Sequence, residues 1–123
     1  MEKDNREGKN GAKNMTFAKV AETSEIPLGQ MKAAKLSGKE VLIANVNGVY
    51  YAIGSICTHM RGELLKGMLE GTTITCPKHK AKFDVTTGKV VSGPKIPLMH
   101  PKIKDEPAYQ VKIEGKDILL EVP

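Results

Sequence analysis

The sequence predicts an all-β protein, an antiparallel sandwich or small barrel, and three observations carry that prediction. Short segments rich in β-branched and aromatic residues recur about every 8–12 residues, with turn-forming residues between them. Two tight hairpins are spelled out, at Asn47-Gly48 and at residues 114–117. Only a short turn around Leu28 offers helical material. A chain of 123 residues can bury one core but is short for two.

In chain order, residues 1–14 (MEKDNREGKNGAKN) contain no large apolar side chain beyond Met1. They read as a disordered polar tail, which leaves residues 15–123 as a single domain. Strands are expected at residues 16–21 and 31–36. Residues 41–46 and 49–53 flank Asn47-Gly48, a pair suited to the two left-handed positions of a type I′ turn. Residues 72–75 form a further strand, and Gly88 separates 82–85 from 89–91. Residues 109–113 and 118–122 pair across the last hairpin. Residues 99–107, with Pro101 and Pro107, form a long loop, and the methionines read as core and loop fillers.

Chemistry concentrates in two boxes, Cys57-Thr58-His59 and Cys76-Pro77-Lys78-His79, which hold both cysteines and two of the three histidines. Three readings fit one thiol and one imidazole per box. A Cys57–Cys76 disulfide is disfavoured without a secretory signal, and it leaves both histidines unexplained. A structural zinc module would ordinarily take a like pair of ligands from each arm, whereas both arms here are mixed. A two-iron cluster with sulfur on one iron and nitrogen on the other uses mixed arms naturally. Residues two apart on extended backbone point the same way, so one arm can reach both irons. His100, between Met99 and Pro101, reads as a surface or packing residue.

From residue 57 to residue 94, CTHMRGELLKGMLEGTTITCPKHKAKFDVTTGKVVSGP, the chain resembles the cluster-binding region of Rieske-type [2Fe-2S] ferredoxins of the soluble archaeal and bacterial type. Leu64, Glu70-Gly71, Phe83-Asp84, Thr87-Gly88 and Gly93-Pro94 carry the likeness beyond the two boxes. The resemblance implies a Rieske-like antiparallel fold with a cluster-binding subdomain of two loops at about residues 55–96. It implies one [2Fe-2S] cluster per chain, with Cys57 and Cys76 on the inner iron and His59 and His79 on the outer iron through Nδ1. Met60 would then sit beside the cluster, as a shield from water or as core.

Two ferric ions, two sulfides and two thiolates sum to zero charge, so reduction is easier than with four thiolates. Such centres span about −150 to +300 mV, against about −400 mV for plant-type clusters. Protons on the far imidazole nitrogens follow the electron, so the potential should fall at alkaline pH. High-potential relatives carry a disulfide clamp where this chain has Gly62 and Lys78, and hydroxyl donors where it has Ala81 and Phe83. Without those donors the potential is expected at the low end of the Rieske range. Lys78 and Lys80 pull the other way, but exposed charge is screened. Lys80 also replaces the glycine usual in the family, which would strain the backbone if φ is positive there.

The implied function is a soluble one-electron carrier between a reductase and an acceptor enzyme, with no catalytic residue of its own. A dedicated ferredoxin component of a multicomponent oxygenase is the alternative. With His59 and His79 committed, only His100 remains for a second iron site, so the chain is not itself an oxygenase. Nine basic residues against three acidic fall between Cys57 and Lys104, whereas the rest of the chain is slightly acidic. Arg61, Lys78 and Lys80 would ring the redox edge and steer partners with acidic docking surfaces. Few aromatics and no recognition motif argue against nucleic acid. With no apolar run of about 18 residues, a membrane is not expected; the chain should be cytoplasmic and monomeric.

Overall fold

A computed structural model describes residues 16–58, 61–98 and 101–122. The expected tail and the residues His59, Met60, Met99 and His100 lie outside the described residues. Eleven strands make up nearly all the regular structure: β1 (Phe17–Glu22), β2 (Met31–Leu36), β3 (Lys39–Val46), β4 (Val49–Gly54), β5 (Met68–Glu70), β6 (Thr73–Thr75), β7 (Lys82–Asp84), β8 (Val90–Ser92), β9 (Ala108–Tyr109), β10 (Val111–Glu114) and β11 (Asp117–Glu121). They form three antiparallel sheets, ordered β1-β11-β10, β2-β3-β4-β9 and β5-β6-β7-β8.

Register follows the turns. Asn47 and Gly48 both take positive φ, 54° and 91°, as a type I′ turn requires, and Val46 pairs with Val49 across it. The same device closes β2 onto β3, where Ser37 at φ 52° stands in a position that sequence did not mark as a turn. The segment expected as one strand at 109–113 is interrupted at Gln110, so that its start pairs with β4 and its remainder with β11. The helical turn expected around Leu28 lies earlier, as a 3₁₀ turn over Thr23–Glu25; Leu28 itself is exposed. A capping box between Glu22 and Glu25 starts that turn there. β5 went unrecognised because Met-Leu-Glu is too short to alternate.

β3 explains how so small a protein carries two cores. Val41 through Asn45 are all buried, and alternate side chains go to opposite sides. Leu42 and Ala44 join Ile53, Cys57, Leu64, Ile74, Cys76, Ala81, Phe83 and Val85. Val41 and Ile43 instead pack with Ala21, Ile26, Leu36, Ala52, Ile118 and Leu120. The middle sheet is therefore a wall shared by a core that contains both cysteines and a core built on the terminal strands. Each fully buried Leu or Ile contributes roughly 1.5–3 kcal/mol.

Candidate metal centre

The two boxes sit in two loops of common build. The first runs from Cys57 to Gly62, after β4. The Cys57 N–H donates to the Gly62 carbonyl at 2.6 Å, and the Arg61 N–H donates back to the Cys57 carbonyl at 3.2 Å. The second runs from Cys76 to Ala81, between β6 and β7, with Cys76 N–H to Ala81 O at 2.8 Å and Lys80 N–H to Cys76 O at 3.0 Å. Each loop is thus an α-turn hung on its cysteine. The extended backbone expected for the arms is not what forms in the second, Cys76–His79, which folds back; the fifth residues of the two loops take left-handed φ, 59° at Arg61 and 67° at Lys80. Lys80 does occupy a glycine-type position, at a cost of about 1–2 kcal/mol.

Each loop is pinned at its base. Ile56 and Glu63 form a bridge below the first, and Leu64 N–H donates to Ser55 O at 2.9 Å. Leu64 and Phe83 are fully buried in the same core as the two cysteines. The segment after Gly93 lies against the second loop, with buried Pro94 and a Lys95 N–H bond of 2.6 Å to the His79 carbonyl.

The two loops approach one another at Gly62 of the first and Cys76 and Lys78 of the second. Cys57 and Cys76 are each 1 % exposed, pack in one core and form no disulfide. A Cβ on Gly62 would lie 2.7 Å from Cys76 Sγ and 3.2 Å from Lys78 Cβ, so Gly62 and Lys78 face one another across the gap. Glycine leaves room beside the Cys76 sulfur. His79 is half-buried, unlike the two cysteines. Among the described residues no three His, Cys, Asp or Glu side chains gather closely enough to hold a single metal ion. Two soft thiols inside, a histidine at the margin and a cradle beside Cys76 fit a [2Fe-2S] group, which would supply one-electron redox chemistry when bound. Ala81 and Phe83, buried beside the second loop, bring no hydroxyl to it.

Beside that loop a cleft of about 420 Å³ is lined by Lys66, Gly67, Met68, Thr75, Pro77, Lys80, Lys82 and Lys95, with no carboxylate. Lys66 lies 3.6 Å from Glu63. Of Arg61, Lys78 and Lys80, which the sequence singled out for the redox edge, only Lys80 lines this cleft; the fold adds Lys66, Lys82 and Lys95. It also reveals a residue that sequence did not flag. Glu106, 4 % exposed, accepts a hydrogen bond from the Thr58 N–H at 2.9 Å, and its burial pushes the carboxyl pKa up to about 7 against the lowering effect of that bond.

Residues 16–101 match the family described as the Rieske [2Fe-2S] domain. The chain is 39 % identical over 98 residues, 80 % of this chain and 88 % of the relative, to the ferredoxin component of the naphthalene 1,2-dioxygenase/salicylate 5-hydroxylase systems of Ralstonia sp.. Its fold is similar to the ferredoxin of carbazole 1,9a-dioxygenase from Nocardioides aromaticivorans IC177, at TM-score 0.74 and 28 % identity, covering 88 % of this chain and 99 % of that one. It is also similar to a chain in a complex of reduced oxygenase and oxidized ferredoxin in carbazole 1,9a-dioxygenase, at TM-score 0.73 and 25 % identity, covering 88 % and 94 %. Among the described residues, no helix is long and apolar enough to cross a membrane. The chain belongs to the Rieske [2Fe-2S] domain family, as a ferredoxin that carries electrons on that family's cluster rather than as a catalytic subunit.

Proposed function

We propose that this protein is the ferredoxin component of a multicomponent oxygenase, taking single electrons from a reductase and passing them to the oxygenase. Cys57 and Cys76 hold the inner iron, and His59 and His79 the outer iron. The domain that does so spans residues 15–123 and works as a cytoplasmic monomer. The difference in burial carries this reading: two cysteines sealed in the core, and a half-buried histidine three residues after the second of them. Electrons reach and leave such a centre at the histidine edge, while the sulfur side stays dry. The ferredoxins named above, which serve dioxygenase systems, favour an oxygenase as acceptor over a general pool of partners.

The absence of hydroxyl donors at Ala81 and Phe83 supports a potential at the low end of the Rieske range. Ala81→Ser would add a donor at a buried position beside Cys76, and its potential should rise. The lysine-lined cleft next to His79 supports docking to acidic surfaces on both partners, by steering and orienting the encounter.

Visible absorption and EPR of the purified protein, followed by reconstitution with a reductase and an oxygenase, test the proposal. The oxidised protein should be red-brown, and its reduced form should give the EPR signal of a mixed-ligand two-iron centre. His79→Ala should lose that signal because the outer iron loses half its protein ligands. A colourless zinc protein, or a red-brown one that cannot support turnover with any oxygenase, defeats it.

A further inference from the structure

Residues 104–107 form a strap that joins the first ligand loop to two other parts of the fold. The Lys104 carbonyl accepts from Thr58 Oγ1 at 2.6 Å, and Asp105 Oδ1 accepts from the Val90 N–H at 2.8 Å. The Glu106 N–H donates to the Gly88 carbonyl at 2.7 Å, and the Pro107 carbonyl accepts from the Gly54 N–H at 2.9 Å. From the middle of this strap the Glu106 side chain turns inward and takes the Thr58 N–H. Two glycines make room for it. A Cβ on Gly54 would sit 2.5 Å from Glu106 Oε1, and one on Gly88 would run into the Glu106 carbonyl oxygen.

Packing alone does not call for a carboxyl here. A buried carboxyl with one hydrogen bond carries a desolvation cost that a leucine would avoid. Among the described residues no cation is paired with Glu106; the titratable group that feels its charge is Tyr109, whose own pKa it helps to raise. The carboxyl instead lies against the backbone of Thr58, the residue between Cys57 and His59. We propose that Glu106 is a positioning residue for the metal centre, fixing the first ligand loop through the Thr58 N–H and holding the reduction potential down by its negative charge. The charge acts because an electron arriving near a poorly solvated carboxylate is repelled more than it would be in water. This inference rests on the ligand assignment proposed above.

The test compares holoprotein with Glu106→Gln and Glu106→Leu at pH 8, where the carboxyl is ionised, by voltammetry and by the rate of iron release to a chelator. Gln keeps an acceptor oxygen for Thr58 but no charge, so iron should be retained as in the unmodified protein while the potential rises. Leu removes both the charge and the acceptor, so the potential should rise and iron should leave about fivefold faster, the effect of one lost hydrogen bond. An unchanged potential in the Gln variant would overturn the electrostatic role. Iron release from the Leu variant no faster than normal, or iron loss from the Gln variant, would overturn the positioning role. Failure of the ligand assignment is separable, because it would show in the unmodified protein as an absent two-iron EPR signal.

Discussion

At the residue scale, two side chains sit where their chemistry is uncomfortable. Lys80 takes φ 67° in the second ligand loop, so it carries a strain that glycine would not. Lys80→Gly should therefore raise stability, by about 0.5–1 kcal/mol once the more flexible unfolded chain is counted, in urea unfolding of the holoprotein. Glu106 has a pKa of about 7 when folded against an ordinary 4.5, so the folded state holds this proton more tightly than the unfolded state. Its contribution is complete below pH 4.5 and is lost as pH rises through 7, by about 2 kcal/mol after allowance for solvent screening. Between pH 5 and pH 8 the unmodified protein should thus lose more stability than Glu106→Gln, as denaturation curves at the two pH values would show. Neither discomfort could be read from the sequence alone. Lys80 was recognisable as unusual, but its positive φ is visible only in the folded loop.

At the scale of elements, legibility followed locality. The hairpin at Asn47-Gly48 is dictated by two adjacent residues, and its strands pair as the sequence reading expected. The two boxes of cysteine and histidine stood out for the same reason, since each spans only a few adjacent residues. The strap was not. Residues 99–107 show no periodicity, and Glu106 meets Thr58 only after 48 residues of chain have folded back. The turn between β7 and β8 lies between these cases. Gly88 read as a break between strands, whereas its close contact with the strap is visible only in three dimensions. At φ 80° and against the Glu106 carbonyl, Gly88→Ala should cost about 2–3 kcal/mol, measurable as a lower urea midpoint at an unchanged slope.

At the scale of the molecule, charge and burial are unevenly distributed. The segment with the two loops carries the chain's net positive charge, and Lys80, Lys82 and Lys95 converge on one cleft. Electron transfer from the reductase should accordingly slow as salt rises from about 0.05 to 0.5 M, as the Debye length shrinks to a few ångströms. A Lys82→Glu, Lys95→Glu variant should be slower at low salt and nearly insensitive to it, with its visible spectrum intact. The sequence announced the charge excess but not the cleft, because Lys66 and Lys95 are brought together only by the sheet that carries β5 to β8.

The doubly buried β3 ties distant halves of the protein to a common fate. Leu42 and Ile43 are sequence neighbours that belong to different cores, so disorder on one side of the strand cannot stop at its backbone. Stripping the iron should then be felt far from the ligand loops. Backbone amides at Ile118 and Leu120 should exchange with deuterium sooner in the apoprotein, even though neither residue packs in the core that holds the cysteines.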